Sequence, residues 1–287
     1  MRFESFLLCF PLIAACGDRA SSGGGVTLRD SAGITIVESS APPPNAAASL
    51  QVETTASLTI GVEEGDEALQ LHRVSDAMGL PDGRIVIANS GTHELRLFDA
   101  GGKYLRSVGR RGGGPGEFGD FSFPRLFRRG DEIYATDDNA FRIHAYDLDL
   151  GFRETRRFQM PMDLPRPFPR GVLADGSWLS MAYGGGGALR GPPESVIALT
   201  FTLLVFDSTG EFIRSFGSFE GRKRYVNQVG DITHFPYLPL TVEPVIRARG
   251  AEGVVLRGEN AELELWSDDG TLRLNGVRLD FSSKNRV

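Results

Sequence analysis

Residues 80–124 read LPDGRIVIANSGTHELRLFDAGGKYLRSVGRRGGGPGEFGDFSFP and contain the local pattern from which the fold can be predicted. An Asp-Gly turn precedes an apolar strand, the next strand ends in Phe98, and a second Asp/Gly turn leads into a further strand. Asp and Gly suit tight hairpins, because glycine adopts the positive φ that such turns require. The stretch therefore predicts consecutive antiparallel strands joined by short turns.

The same unit occurs four times along the chain. Its third strands align on a terminal aromatic residue as HELRLF (93–98), FRIHAY (141–146), FTLLVF (201–206) and AELELW (261–266). Side chains alternate along a strand, so the aromatic residues face one way and the preceding aliphatic residues the other. The aliphatic face holds Leu95, Ile143, Leu203 and Leu263 with Leu97, Ala145, Val205 and Leu265, and the opposite face holds Phe98, Tyr146, Phe206 and Trp266.

Sheets with apolar groups on both faces must be packed between two neighbours. Units that repeat at intervals of several tens of residues and cannot bury both faces alone are typical of radial arrays. We therefore predict an all-β fold, a β-propeller of four-stranded blades, over residues 33–287. The predicted blades span about 71–109, 124–158, 169–217 and 244–279, the third with an insertion, GGGGALRGPPESVI.

The order of elements in residues 80–124 resembles an NHL-type repeat, in which a DG turn, a strand, an aromatic-Asp turn and a GPGEF linker follow one another. The likeness covers residues 57–280 and is to six-bladed NHL-like propellers of exported bacterial proteins. It implies a six-bladed ring, of which four full blades are recognisable here. The resemblance is specific for fold and much less so for activity.

Two further strands are predicted before the first blade, at residues 33–38 (GITIVE) and 57–61 (SLTIG). The second resembles the fourth strand of a complete blade and should belong to the last one, which already has its own fourth strand, TLRLNGV. Two explanations are open: a shortened six-bladed chain lacking about two blades, or an irregular ring of four blades plus the N-terminal strands. We favour the first, and such an unclosed ring would expose strand edges.

Residues 1–16 have the features of a bacterial lipoprotein signal, with Arg2 before an apolar stretch and Cys16 at the end of a lipobox-like Ile-Ala-Ala-Cys. An ordinary secretory signal and a short buried segment are the alternatives. We expect lipid attachment at Cys16, a flexible tether over 17–32, and a location outside the cytoplasm, periplasmic or at the cell surface. The second cysteine, Cys9, would leave with the signal, so no disulfide is expected in the mature domain.

Few motifs in the sequence indicate a catalytic or ligand-binding activity. A net charge of −6 argues against a nucleic-acid partner, and no catalytic, cofactor or metal residues are predicted. The glycine-rich stretch 110–119 lacks the Lys-Ser/Thr of a phosphate-binding P-loop and fits a linker between blades. Asp137, Asp138 and Asn139 lack the spacing of a calcium loop and favour a structural turn. His144 is expected to be packed or hydrogen-bonded inside the fold.

Three arginines form the one candidate site. Arg73, Arg125 and Arg170 each open the first strand of a blade, and first strands lie nearest the propeller axis. Their guanidinium groups could ring one mouth of the central channel and bind an anionic ligand or an acidic peptide in bidentate geometry. The alternative is that each arginine pairs with a neighbouring carboxylate.

The sequence leaves three functional classes open. The first is a lipid-anchored binding module for a protein or a small anionic ligand. The second is a calcium-dependent propeller enzyme resembling lactonases and esterases, and the third is a truncated fragment without independent function.

Overall fold

The structure is a computed structural model that describes residues 21–23, 26–39, 55–162, 164–184, 191–230, 232–236, 238, 244–257, 262–267 and 269–279. Within these ranges it contains strands and one short 3-10 turn, Asp138–Ala140, and no α-helix. None of the described residues belongs to a helix that is long and apolar enough to cross a membrane. The predicted signal segment and Cys16 lie outside the described residues.

The described residues form twenty strands. They are β1 (Ser21–Gly23), β2 (Val26–Ser31), β3 (Ile34–Ser39), β4 (Val74–Gly79), β5 (Ile85–Asn89), β6 (Glu94–Phe98), β7 (Tyr104–Val108), β8 (Leu126–Arg129), β9 (Glu132–Asp137), β10 (Arg142–Asp147), β11 (Phe152–Arg157), β12 (Pro167–Val172), β13 (Trp178–Tyr183), β14 (Ser195–Phe206), β15 (Phe212–Val229), β16 (Ile232–His234), β17 (Val245–Arg249), β18 (Glu252–Arg257), β19 (Glu262–Ser267) and β20 (Leu272–Leu279).

The strands form four antiparallel blades in chain order. Blade 1 is β4–β7, blade 2 is β8–β11, blade 3 is β12–β15 with β16 added at its edge, and blade 4 is β17–β20. The first strands contact one another in succession, β4 with β8, β8 with β12, and β12 with β17, as expected of innermost strands. The predicted fold class, a β-propeller of four-stranded blades, is confirmed.

Aspartate side chains fix the outer turns of the blades. The Asp99 carboxylate accepts hydrogen bonds from the amides of Gly101 and Lys103, 2.9 and 2.8 Å away. The Asp207 carboxylate accepts in the same way from Gly210 and the residues beside it. A short polar side chain thereby replaces strand partners that the backbone loses at the turn. This is why Asp follows the terminal aromatic residue in three of the four copies.

The core consists of three layers, each between two consecutive blades. In the first layer, Leu95 and Leu97 of blade 1 pack with Ile133 and Tyr146 of blade 2. The next two layers repeat this arrangement between blades 2 and 3 and between blades 3 and 4. The aliphatic face of one blade therefore meets the aromatic face of the next, as the alternation of residues predicts.

The strand predicted at 33–38 is present as β3, whereas the residues before it differ from the expected tether. β3 pairs in parallel with β20, the outer strand of blade 4, and β2 and β1 continue that sheet outward to seven strands. Part of the expected tether over 17–32 therefore forms strands β1 and β2. The physical reason is that β3 leaves its second edge unpaired, and the preceding residues turn back at Gly33 to satisfy it.

The strand predicted at 57–61 is a second correction, because these residues form no strand. Leu58 and Ile60 instead lie against the outer turn of blade 1 at Gly102. The residues that follow this segment, at 67–70, are held by a side chain rather than by pairing between strands. The Arg96 guanidinium donates to the carbonyls of Glu67, Ala68 and Gln70 at 2.9–3.0 Å.

Candidate functional site

Three arginines from consecutive blades line one cavity near the innermost strands. Arg125 directly precedes β8, Arg170 lies in β12 and Arg247 lies in β17, and together they border a cavity of about 160 Å³. The remaining wall is largely apolar and aromatic and includes Met181, Tyr183, Phe201 and Ile246. We call this the arginine cavity.

A bulge and a glycine build the arginine cavity. The pairing of β12 with β13 shifts between Pro169 and Gly171, which places Arg170 at the irregular position of the strand. Gly171 lies so close to blade 4 that a Cβ there would stand 2.4 Å from the Cβ of Ala248. Only a residue without a side chain permits this approach, and the approach brings Arg170 and Arg247 to one cavity.

Two of the guanidinium groups are turned toward the beginning of their own strands. The Arg170 Nη1 donates to the carbonyl of Pro169 at 3.0 Å, and the Arg247 Nη1 donates to that of Ile246 at 2.9 Å. Arg170 also lies over the Phe168 ring, with the guanidinium carbon 5.9 Å from the ring centroid. These contacts engage the Nη1 atom of each guanidinium group.

One carboxyl group, that of Asp138, stands near the arginine cavity. Burial raises the pKa of Asp138, although a hydrogen bond from Thr136 and the charges of Arg125, Arg170 and Arg166 act to lower it. Its Oδ1 is buried and has no hydrogen-bond partner among the described residues.

Salt bridges between described residues distinguish Arg125 and Arg247 from several other arginines. Arg110, Arg111 and Arg156 each pair with a carboxylate, those of Glu117, Asp120 and Glu154. No salt bridge within the described ranges involves Arg125 or Arg247.

Arg73, the third predicted arginine, is not part of the arginine cavity. It lies over the Phe123 ring at 4.9 Å and borders a separate cavity of about 310 Å³. We call this second space the blade 1–2 cavity; its walls include His72, Ser90, His93, Phe121 and Ser122. The structure thus brings Arg125 and Arg170 together and places Arg73 elsewhere.

Arg247 was missed from the sequence. The pattern VIRAR at 245–249 does place an arginine in the first strand of the fourth copy. Arg125 and Arg170 are each preceded by proline, and Arg247 follows Ile246 instead. The feature that the three arginines share is a position in or directly before an innermost strand, rather than the Pro-Arg pair.

The glycine-rich stretch 110–119 is anchored to blade 2. The Arg142 guanidinium donates to the carbonyls of Gly113, at 2.5 Å, and Glu117, at 3.2 Å, and pairs with the Asp137 carboxylate at 2.5 Å. Both members of this salt bridge are buried. The glycine carbonyls therefore point at a cation of the protein itself, which fits a linker between blades.

His144 is buried beneath the same linker, as expected. Its Nε2 lies 2.9 Å from the carbonyl of Glu117, and its Nδ1 lies 2.9 Å from Thr155 Oγ1 and 3.4 Å from the amide of Gly116. A carbonyl only accepts and an amide only donates, so Nε2 carries the proton of a neutral ring. Burial, with a smaller contribution from Arg142, lowers the pKa of His144 to about 4.

No three His, Cys, Asp or Glu residues within the described ranges are grouped so as to hold a metal ion. Of the predicted turn residues, Asp137 accepts from Arg142 and from the amide of Gly119. Asp76, an acidic residue of an innermost strand, accepts from the amide of Leu126 and thereby joins blade 1 to blade 2.

Comparisons with known proteins agree with the architecture. The family model DUF5128, described as a 6-bladed beta-propeller, matches residues 67–166. No curated protein sequence matches the chain.

Three solved structures are similar in fold. A protein of Bacteroides fragilis NCTC 9343 whose name describes it as exported is 14% identical, with 77% of this chain and 75% of that one covered and a TM-score of 0.37. A protein of Bacteroides uniformis ATCC 8492 named for 6-phosphogluconolactonase is 14% identical over 88% and 68%, with a TM-score of 0.38. A catalytically inactive virginiamycin B lyase from Staphylococcus aureus is 11% identical over 72% and 85%, with a TM-score of 0.30. The chain is thus a β-propeller whose residues 67–166 are similar to a six-bladed family.

Proposed function

We propose that this protein is an extracytoplasmic, lipid-anchored binding module whose arginine cavity takes a small anionic ligand bearing carboxylate or phosphate groups. The observation that supports this most is the convergence of Arg125, Arg170 and Arg247 from three blades on one cavity. Guanidinium groups match carboxylates and phosphates geometrically and keep their charge at every physiological pH.

The composition of the wall supports binding rather than a particular reaction. Apolar and aromatic groups with a few convergent charged groups are typical of ligand pockets. The cavity of about 160 Å³ favours a small organic anion over a large one. Three cationic side chains at this place disfavour Ca²⁺, which binds oxygen ligands, and so they do not support the lactonase-type alternative.

Calorimetric titration of the purified chain with citrate and with inorganic phosphate tests the proposal. We expect saturable binding to at least one of them that weakens as salt is raised, because exposed charges are screened. The variant Arg125→Gln/Arg170→Gln/Arg247→Gln should lose this binding. Arg106→Gln, which removes an exposed arginine of β7 outside the cavity, is the matched control and should retain it.

The same preparation addresses the fragment alternative. A cooperative thermal transition of the wild-type chain is expected, since three continuous core layers join the four blades. Equal binding by the triple variant and the wild type, or failure of both anions to bind, would contradict an anion site in the arginine cavity.

Membrane attachment is supported by the sequence at residues 1–16 alone and has its own test. Cells that express the full chain and are fed radiolabelled palmitate should label it and retain it in the membrane fraction. The Cys16→Ser variant should lose both properties, because the thiol is the acceptor for the lipid. Labelling that persists in Cys16→Ser would show that Cys16 is not the attachment site.

A further inference from the structure

The arginine cavity is lined both by exposed cations and by buried apolar side chains. Arg125 and Arg247 are exposed residues of its wall. Met181, Phe201 and Ile246 also line it, and they are buried members of the core layer between blades 3 and 4. The cavity therefore lies between solvent-exposed arginines and the hydrophobic layer that joins two blades.

Two aromatic rings approach the wall at Gly221, a residue of β15 that lines the cavity. A Cβ at Gly221 would lie 3.5 Å from Cδ1 of Phe201 and 3.7 Å from Cε1 of Tyr183. It would also lie 2.8 Å from the carbonyl oxygen of Leu199, which is closer than a side chain tolerates. Glycine therefore fits closely at this position, and the edges of both rings lie beside the part of the wall that it forms.

Hydrogen-bond donors predominate among the polar side chains of the wall. Among the described residues that line the cavity, only the three arginines and Tyr183 have polar side chains. Guanidinium groups donate hydrogen bonds and cannot accept them, whereas a carboxylate only accepts. Each hydroxyl group of a sugar acid adds a donor that needs an acceptor, and the Tyr183 hydroxyl is the one side-chain acceptor in this set. The wall therefore favours a carboxylate whose remainder is apolar.

The volume of about 160 Å³ indicates the size of that apolar remainder. An apolar protein cavity of about 150 Å³ binds benzene, so one six-membered ring has a suitable size. Aromatic rings gain additional stabilisation when they meet other aromatic rings edge to face. Because Phe201 and Tyr183 both line the cavity, an aromatic ring matches the wall better than an alkyl group of the same size.

We propose that the arginine cavity binds an aryl carboxylate with a single ring, of which benzoate is the simplest; this inference rests on the proposed function and specifies its ligand. The carboxylate pairs with Arg125 and Arg247, and the ring packs against Met181, Tyr183 and Phe201. Acetate keeps the charge but leaves the apolar wall without a contact. Benzyl alcohol keeps the ring but leaves the arginines without an anion.

Calorimetric titration of the purified chain with benzoate, acetate and benzyl alcohol tests both requirements. Benzoate should bind saturably and at least tenfold more tightly than either of the other two. The Arg125→Gln/Arg170→Gln/Arg247→Gln variant should weaken benzoate binding at least tenfold, whereas Arg106→Gln should leave it unchanged. Equal affinities for benzoate and acetate, or full benzoate binding by the triple variant, overturns the proposal.

The position of the ring can be measured independently by NMR. In protein with ¹³C-labelled methionine methyl groups, the ring protons of benzoate should give an intermolecular nuclear Overhauser effect to the methyl group of Met181. The variant Met181→Leu assigns this signal by removing it, and the similar volume of leucine should preserve the fold. Saturable benzoate binding without this effect would place the ring outside the arginine cavity and overturn the proposal.

Failure of this inference can be distinguished from failure of the proposed function. If citrate or inorganic phosphate binds and the triple variant loses that binding, while benzoate binds no more tightly than acetate, the anion site stands and the aryl carboxylate is wrong. If citrate, phosphate and benzoate all fail to bind, both proposals are wrong.

Discussion

Acid should destabilise the protein through His144, at a pH well above that at which most carboxylates titrate. The ring is neutral and fully buried, and its pKa falls from 6.5 to about 4 chiefly because burial penalises the charged form. Protonation would add a hydrogen at Nδ1, which already accepts from Gly116 and Thr155. The Gly116 amide would then face another donor.

The sign and size of the effect follow from proton linkage. Well above pH 6.5 His144 is neutral in both the folded and the unfolded chain, so its full contribution to the free energy of unfolding is present there. Below pH 6.5 the unfolded chain binds a proton at this histidine, whereas the folded chain binds it only near pH 4. The free energy of unfolding therefore falls as the pH decreases from 6.5 to about 4. With these two pKa values, the loss between pH 7 and pH 5 is about 2 kcal/mol.

Urea unfolding at pH 7 and pH 5, followed by tryptophan fluorescence, measures this loss. His144→Gln removes the titration, so the free energy difference between wild type and variant should shrink by about 2 kcal/mol on acidification. His234→Gln, at an exposed histidine, is the matched control and should follow the wild type. Asp138, whose raised pKa acts in the opposite direction, is common to all three proteins and cancels. If the free energies of unfolding of the wild type and His144→Gln differ by the same amount at pH 7 and pH 5, the reasoning is refuted.

Three further changes test other parts of the structure. Gly171→Ala should cost about 1–3 kcal/mol of unfolding free energy in urea titrations, because the new methyl group overlaps Ala248, and it should weaken anion binding in the arginine cavity. Arg142→Met should cost about 3–5 kcal/mol in the same assay by leaving Asp137 buried without its cation, and Asp137→Asn in the Arg142→Met background should recover part of the loss. Deleting residues 21–39 should expose the outer edge of β20 and produce concentration-dependent association in size-exclusion chromatography; a monomer at all concentrations would show that the edge is harmless.

Much of the fold could be predicted because its determinants are local. The Asp/Gly turns and the alternation of residues place the strands and assign their faces without reference to distant parts of the chain. Leu95 and Phe98 illustrate this, since their opposite orientations follow from spacing alone and both are fully buried. The linker was also predictable, because its glycine pattern lies within one repeat.

The remainder depends on contacts between distant segments. The pairing of β3 with β20 joins the two ends of the described chain, and no local pattern specifies the partner of an edge strand. The segment 57–61 resembles a strand, but its side chains Leu58 and Ile60 lie against the outer turn of blade 1 at Gly102, a contact that sequence spacing does not reveal. The arginine cavity likewise needs Gly171 to lie against Ala248, a contact that sequence spacing does not reveal.

The position of the N-terminal strands bears on how an anchored propeller could present its cavities. β3 joins the outer edge of blade 4, and β1 is the outermost strand of that sheet. The arginine cavity is lined by residues of the innermost strands β12 and β17, at the opposite edge of their sheets. β1 and β17 are the two edge strands of a seven-stranded sheet, so six strand spacings of about 4.8 Å separate them by roughly 29 Å. The proposed membrane tether would therefore join the fold at the edge remote from the arginines of β12 and β17.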